Sequence, residues 1–566
     1  MTTTPAADGM WDYVVVGGGS AGCVLANRLS DDPRVSVLLL EAGSEARSLT
    51  VRIPALIQKI GTELNWLYPV EPDRSRRGVS DPYSSGRCLG GSSAINAMMW
   101  SRGHPGDYDG WAAQGCVGWD SGSVLPYFRR SERFEDGGSA YRGGSGPQRV
   151  VRTRVAHPLI DRFVGAAAEA GLPRLADYNA AAPDGVGLSQ VTQTRGWRQT
   201  AADAFLQPAR RRPNLTIRTG APCVRVLFDG HRACGVEHSA EGTIRTALAR
   251  REVLLSAGAL GSPKLLLLSG VGPGADLSPH HVPVVADVPG VGRNLHDHPA
   301  SSLMFEVTER TLNQDVTPLR LIRHALDFVL RGRGAITSTS NHAVAFDRLD
   351  PGSPVPEIQL IFVAFGLSAA ADDDREHGES GSRPGRGGML RRLTARTGGK
   401  EQGRRQAAAD PLVTVQFALL HPRSRGQLSL GSRNAADPPR IRFDLLGDER
   451  DIAALTGAAR RARAIFGMPA IKGYVVGERT PGAGIATDAA WDDCLRSTAF
   501  RLCHPASTCA MGTAADSVVD SRLRVRGVER LRVIDASVMP SIPSGNTNAP
   551  TIMIAEKGSD LVREDA

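Results

Sequence analysis

The earliest residues in the chain whose spacing suits chemistry lie in Asp12-Tyr-Val-Val-Val-Gly-Gly-Gly-Ser-Ala-Gly22. In Gly17-x-Gly19-x-x-Gly22 the first glycine allows a tight strand-to-helix turn and the second lets backbone approach a pyrophosphate. The third lets the helix pack closely on the strand. The positive end of that helix would face the phosphate charge. Glu41, nineteen residues past Gly22, ends the apolar run Val35 to Leu40, where a carboxylate can accept ribose hydroxyls and would repel a 2′-phosphate. Gly18-Gly19-Ser20-Ala21-Gly22 also fits G-x-S-x-G, with Ser20 as the nucleophile of a serine hydrolase. Position argues against that reading, because such an elbow normally follows several strands that supply the oxyanion hole, and this turn comes near the start of the chain.

Three more stretches bring chemically useful residues together. Gly86-Arg-Cys-Leu-Gly-Gly-Ser-Ser-Ala-Ile-Asn96 is a second glycine-rich turn whose small residues admit a flat or charged ligand, with Asn96 offering both a donor and an acceptor. His296-Asp-His298 could suggest a metal, but no clustered further ligands accompany it, so no metal is expected. Cys503-His504-Pro-Ala-Ser-Thr-Cys509-Ala-Met-Gly512 places a histidine among small residues, and Gly545-Asn-Thr-Asn548-Ala-Pro-Thr551 places two carboxamides before a helix. Taken alone, any one of the thirteen histidines reads as a structural residue.

The elements that would position these groups are legible from periodicity. Tyr13 to Val16, Val35 to Leu40, Val253 to Ala257 and Leu531 to Asp535 read as buried strands, and Cys23 to Leu29 and Ile552 to Val562 as helices. Pro550 suits the first turn of the latter. Glu357 to Val363 and Leu412 to Leu419 are strand-like, and the charged, glycine-rich run from Ala370 to Asp410 reads as a flexible surface insertion. Leu319 to Arg331 alternates apolar and arginine residues at helical spacing. It could lie on a membrane, but an ordinary core-facing helix is the expectation.

At 566 residues two intimately joined domains are expected. Eight cysteines without CxxC pairs suggest a reduced, cytoplasmic protein. Met1 to Gly9 reads as a short tail with no basic or apolar signal region, and no apolar run reaches membrane-spanning length. The net charge of +8 does not indicate nucleic-acid binding: only five of the 67 basic residues are lysine, and the arginines spread along the whole chain without a recognised module.

Position by position, Gly86 to Asn96 with Trp100, Gly103 and Asp109 resembles the first signature of the glucose-methanol-choline (GMC) oxidoreductases. Gly258-Ala-Leu-Gly-Ser-Pro-Lys-Leu-Leu-Leu-Leu-Ser-Gly-Val-Gly272 resembles the second. Val288 to His298 and Pro422 to Leu430 resemble further landmarks, and Cys503 to Gly512 resembles the catalytic histidine segment, with Ser507 where many members have Gly. The resemblance implies an α/β (α+β) fold: a Rossmann-like FAD-binding domain with a discontinuous substrate-binding domain on an antiparallel sheet. The expected division is a flexible tail over 1–10, FAD-binding parts over 11–154, 213–300 and 503–566, and substrate-binding parts over 155–212 and 301–502.

The resemblance also implies contacts to FAD from Gly17, Gly19, Ser20, Ala21, Gly22, Glu41, Ala42, Gly90, Ser92, Ser93, Asn96, Ala97, the Val224 backbone, Asp535, Ala536, Asn546, Thr547 and Asn548. Members that bind flavin covalently have His at the Asn96 position, so non-covalent FAD is implied. Loss of the carbinol hydrogen as hydride to flavin N5 is easier as the hydroxyl loses its proton, so a base is required, and the resemblance assigns it to His504. Asn548 is the expected donor to the developing alkoxide, and the C-terminal helix the expected positive end near flavin N1 and the C2 carbonyl.

Asn65-Trp66, Arg102-Gly-His104 and Asn546 to Thr551 look most like the choline dehydrogenase and aliphatic alcohol dehydrogenase branch, implying a primary alcohol oxidised to an aldehyde. The electron acceptor would be oxygen, a quinone or a carrier protein. Alternatives are a flavin-containing hydroxynitrile lyase on the same fold and, more remotely, the Ser20 hydrolase.

Overall fold

A computed structural model of the chain describes residues 6–315, 317–367 and 410–566. Two seven-stranded sheets organise it. In the first, Ala6–Val16 lies parallel between Thr243–Leu255 and Val37–Leu40, with Leu215–Arg218 parallel beyond Val37–Leu40 and Leu531–Val533 parallel to Thr243–Leu255. Tyr13 to Val16 and Val37 to Leu40 are buried on both faces, as the centre of a parallel sheet requires. Cys223–Asp229 and Arg232–Ala240 extend the same sheet antiparallel from Thr243–Leu255.

The first strand begins at Ala6, so the expected tail over 1–10 is corrected from that residue onward. The long strand Thr243–Leu255 offers an edge that Ala6 to Met10 occupy, in register with Arg245 to Leu248. Asp8 anchors this extension by pairing with the Arg218 guanidinium and with His238 Nε2, the latter at 2.9 Å.

The second sheet is antiparallel in the order Val475–Thr480, Pro299–Val307, Leu412–Leu419, Ile358–Val363, Ala343–Asp347, Gly185–Leu188, with Phe500–Arg501 pairing Pro299–Val307. Helices Pro158–Glu169 and Glu449–Phe466 cover one face, where Phe305 stacks on Phe466 at 3.9 Å and Phe163 on Phe362 at 4.6 Å. Strand alternation turns the other side chains towards the first domain. Leu360, Phe362, Val415 and Phe417 belong to the helix-covered core, while their neighbours Ile361 and Gln416, which are cross-strand partners, line the cavity described below.

Helix Pro318–Arg331 forms as the spacing predicts, but its direction is opposite to the core-facing expectation. Only Phe328 is buried, against Trp197 at 4.7 Å, while Leu319, Leu321, Ile322, Leu326, Val329 and Leu330 are all exposed. A periodic stripe specifies a two-faced helix and leaves open what the apolar face meets. The insertion expected over 370–410 lies outside the described residues apart from Asp410. Among the described residues no helix is long and apolar enough to cross a membrane, and all eight cysteines are free thiols.

Candidate active site

Helix Ser20–Leu29 starts where the strand ending at Val16 turns, and Gly17 makes that turn with φ +101°. A Cβ at Gly17 would lie 2.5 Å from the Ser256 carbonyl oxygen. Gly19 is different: its φ is an ordinary −79°, and a Cβ there would meet nothing nearer than Gly91 Cα at 3.9 Å, because it would project into a cavity. Glycine at that position keeps space open for a ligand rather than relieving strain. The C-terminal helix, Asn548–Glu564, brings its N-terminus to the same cavity, and Ser20 Oγ donates to Asn548 Oδ1 at 2.7 Å, tying the two helix starts together.

The cavity measures about 490 Å³. Gly17, Gly19, Ser20, Ala21, Glu41, Ala42, Ser92, Asn96, Ala97, His504, Asp535, Ala536, Asn546, Thr547 and Asn548 all line it, although the chain separates them by up to five hundred residues. Four expected contact residues do not reach its wall. Gly22 is a packing glycine, since its Cβ would sit 1.8 Å from Gly17 O. Ser93 Oγ donates to Gly90 O at 2.6 Å and accepts from Ala201 N at 2.9 Å, so both Ser93 and Gly90 build the turn behind the wall. In the strand Cys223–Asp229 and the residue before it, Pro222 and Cys223 line the cavity instead of Val224.

Two buried carboxylates brace the loops of the first domain. Glu41 accepts Gly18 N and Gly43 N, each at 2.8 Å, and burial pushes its pKa up to about 7. Asp535 accepts Gly258 N at 2.8 Å, Ser262 Oγ at 2.5 Å and Ser537 N at 2.8 Å, and burial raises its pKa as well. Asn96 Oδ1 accepts Met98 N and Arg198 Nη1, both at 3.0 Å. Arg198 is buried without a carboxylate in contact, and burial pushes its pKa down to about 9.

His504 is held by the stretch 296–298. Leu502 N donates to His298 O and Ala506 N to His296 O, while Asp297 Oδ1 accepts the backbone N–H of both His504 (2.9 Å) and His298 (2.8 Å). Tyr83 donates to Asp297 Oδ2 at 2.6 Å, and burial pushes this carboxyl up to about 6. His296 Nδ1 faces Asn294 O at 2.7 Å and its Nε2 accepts Ile542 N at 3.1 Å, so the ring is a structural clamp. Among the described residues no group of histidine, cysteine or carboxylate could hold a metal. Ser507 has φ +74°, a left-handed conformation that favours glycine, and the loop accommodates it.

The carboxamide beside the His504 ring is Asn546, where Asn548 was the expected neighbour. Asn546 Nδ2 lies 3.0 Å from His504 Nε2, whereas Asn548 is engaged with Ser20. Gly545, at φ +120° and with Ser101 Oγ only 2.6 Å from where a Cβ would be, turns the chain so that Asn546 faces the imidazole. The amide donates, so His504 Nε2 presents its lone pair and the ring proton sits on Nδ1, facing His298 Nδ1 at 3.0 Å. Burial pushes the His504 pKa down to about 4, and burial with the neighbouring rings holds His298 well below its ordinary value. The site therefore offers a neutral imidazole acceptor and an amide donor side by side.

Several wall residues carried no sequence signal. Ser340, Asn341, Ile361 and Gln416 come from the motif-poor middle of the chain, and Arg198 acts behind the wall. Lys264 lay in plain view inside Gly258 to Gly272, and its Nζ donates to Ala435 O at 2.7 Å. For the Ser20 hydrolase reading the geometry is unfavourable: the hydroxyl's partner is an amide oxygen, which cannot act as a base.

Residues 11–300 and 422–555 match the family models described as GMC oxidoreductase, N- and C-terminal. The chain is 38% identical over 565 residues to the mitochondrial choline dehydrogenase of Mus musculus, covering 98% of this chain and 89% of that one. It is 36% identical to the oxygen-dependent choline dehydrogenase of Vibrio vulnificus (strain YJ016), covering 98% and 94%. Among solved structures, pyridoxine 4-oxidase from Mesorbium loti superimposes with a TM-score of 0.82 at 30% identity, covering 97% of this chain and 98% of that one. A formate oxidase variant from Aspergillus oryzae RIB40, described for the effect of its mutation on FAD modification, does so with 0.86 at 25% identity, covering 100% and 99%. With the two glycine-lined helix starts, the buried acids and the histidine all on one cavity, these similarities establish that the chain belongs to the GMC oxidoreductase family and is an FAD-dependent oxidoreductase acting on CH–OH donors.

Proposed function

We propose that the protein oxidises a neutral primary alcohol to the aldehyde, with His504 as the base and Asn546 as the donor to the alcohol oxygen. The observation that carries this is the 3.0 Å pair of Asn546 Nδ2 and His504 Nε2 on the wall of the cavity that also holds the dinucleotide cradle. The cradle suits FAD: Gly19 and Gly258 leave open space where a side chain would project, and two helix starts turn N–H groups towards it. Gly17, Ser20, Glu41, Asn96, Asp535 and Ala536 would hold the cofactor. When bound, FAD supplies the acceptor for the hydride that leaves the carbinol carbon.

The remaining work falls to the protein. His504 Nε2 takes the hydroxyl proton as the C–H bond breaks, and His298 and Asp297 keep the ring and its loop oriented. Asn546 Nδ2 stabilises the charge that grows on oxygen. Asn96 and its Arg198 partner place a carboxamide, which cannot form a covalent bond to flavin, on the wall, so FAD is held non-covalently. Protein precipitated with acid should release all of its flavin into the supernatant.

A neutral substrate is favoured by the charges that line the cavity. Among the described residues its carboxylates are Glu41 and Asp535, which already accept backbone N–H groups of the first domain, and the antiparallel sheet side contributes Ile361, Gln416, Ser340 and Asn341. The Trp66 ring has the Arg87 guanidinium 4.9 Å from its centroid, so that face cannot receive a quaternary ammonium. Two relatives are named for choline, a quaternary ammonium alcohol, which makes the contrast testable. Anaerobic mixing with uncharged primary alcohols should bleach the flavin bands faster than choline does. Faster bleaching by choline would overturn the substrate class. Bands that never bleach, with an aldehyde released from a cyanohydrin, would favour the lyase. The rate of recolouring in air then separates oxygen from a quinone or carrier protein as acceptor.

A further inference from the structure

Of fourteen large apolar residues that are strongly exposed among the described residues, six fall on the single helix Pro318–Arg331, a concentration that ordinary surface scatter does not produce. At about 100° per residue, Leu319, Ile322, Leu326, Val329 and Leu330 share one continuous face about 100° wide. Arg323 borders that face, and Arg320 and Arg331 lie beyond it. Arg323 and Arg331 are highly exposed, at 83% and 74%. The acids nearby are Asp327, which pairs with Arg331 at 2.9 Å and Arg323 at 4.0 Å, and Asp315, which pairs with Arg320 at 2.6 Å and Arg310 at 3.1 Å, so four arginines face two carboxylates. Phe328 is the one buried side chain of the helix among the described residues and packs on Trp197, over which the Arg52 guanidinium lies at 5.2 Å. Leu49, on the short helix Leu49–Arg52, adds another exposed apolar residue on this side.

We propose that helix Pro318–Arg331 docks the protein on an anionic membrane surface, its apolar face entering the interface and its arginines meeting the headgroups. An exposed apolar face bordered by arginine is the pattern that lies in a lipid interface, where apolar burial and attraction to anionic lipid act together. A second copy of the chain is a poorer fit, since a twofold interface would set the same arginine-rich edges against each other. Docking also places the cavity beside the interface: the segment leaving the helix is fixed by Thr339 Oγ1 and Asn341 Nδ2, each 2.8 Å from Ala97 O, and lines the cavity at Ser340 and Asn341. The proposal does not depend on which alcohol is oxidised.

The test is flotation of the FAD-loaded protein with phosphatidylcholine vesicles containing about 30% phosphatidylglycerol, and with phosphatidylcholine alone. The wild type should float with the anionic vesicles and lose binding at about 0.5 M salt, where charge is screened. The double variant Leu326→Asp, Val329→Asp should bind at least about tenfold less. Its flavin content and its turnover of a water-soluble alcohol should not change, because neither residue lines the cavity. Wild type that ignores anionic vesicles, or binds both kinds equally at all salt concentrations, overturns the proposal. So does a variant that still floats while sedimentation velocity shows a wild-type dimer becoming a monomer, which would make this face a contact between copies.

Discussion

Truncating Asn546 and Asn548 one at a time separates two carboxamides only two residues apart. In Asn546→Ala the amide 3.0 Å from His504 Nε2 is lost. A single donor to a developing oxyanion is worth about 2.7–4 kcal/mol, so anaerobic flavin reduction should slow by about 10²–10³-fold. Stability should hardly move. Asn546 Oδ1 is buried without a partner among the described residues, a cost of about 1–3 kcal/mol that truncation removes, against about 0.5–1.5 kcal/mol for the hydrogen bond given up. The melting temperature of Asn546→Ala should therefore equal or exceed that of the wild type. Asn548→Ala should behave the other way round. It loses the 2.7 Å bond from Ser20 Oγ that joins two helix starts, costing about 0.5–1.5 kcal/mol of stability, while reduction slows by less than about tenfold. Stopped-flow reduction at saturating alcohol, with thermal melts of the same preparations, measures both quantities. If Asn548→Ala proves the slower enzyme, the reasoning from the His504 contact is wrong.

Two further outcomes follow from the same geometry. Burial holds His296 and His342 at about 3 and His504 at about 4, so the folded chain keeps these rings neutral while the unfolded chain protonates them as pH falls through about 6.5. Through these rings the unfolded state binds more protons, an effect that Glu41 and Asp297, raised to about 7 and about 6, offset in part by holding protons in the folded chain, and stability should fall progressively below pH 6.5, read as a dropping melting temperature. Over pH 8 to 6, by contrast, kcat/KM should show no histidine-type break; a break near 6.5 would place the base in a more open environment than His504 occupies. Gly19→Val should fold with a near-wild-type melting temperature, because φ is −79° and the added Cβ meets nothing nearer than Gly91 Cα at 3.9 Å, yet purify colourless and take up no FAD. A yellow Gly19→Val protein would show that the cradle lies elsewhere.

Local physics explains what could be read without coordinates. A turn that must admit a phosphate needs glycine at set offsets, and a buried parallel strand needs a run of apolar residues, so Val16 to Gly22, Glu41 and the strand at Val253 were legible along the chain. The same holds for the C-terminal helix, where Pro550 announces a helix start, whereas His504 stood out only through the resemblance of its segment to the family's histidine segment. Which carboxamide meets the imidazole was not legible, because Asn546 and Asn548 have the same chemistry, and only the positive φ of Gly545 and the reach of Ser20 decide between them.

The tertiary structure alone decided what each stripe and each end of chain meets. Ile361 and Gln416 look like any strand residues until cross-strand register turns that face to the cavity and Phe362 to the helices. Ala6 to Met10 read as a tail because the strand they extend, Thr243–Leu255, is more than two hundred residues away. The helix Pro318–Arg331 follows from its own period, but whether its leucines face a core or the outside depends on what other parts of the chain pack against it, and sequence spacing holds no information about that. Propensity and turn chemistry act over a few residues and so are written locally. Burial and partner choice are sums over distant residues, and they exist only once the chain has folded.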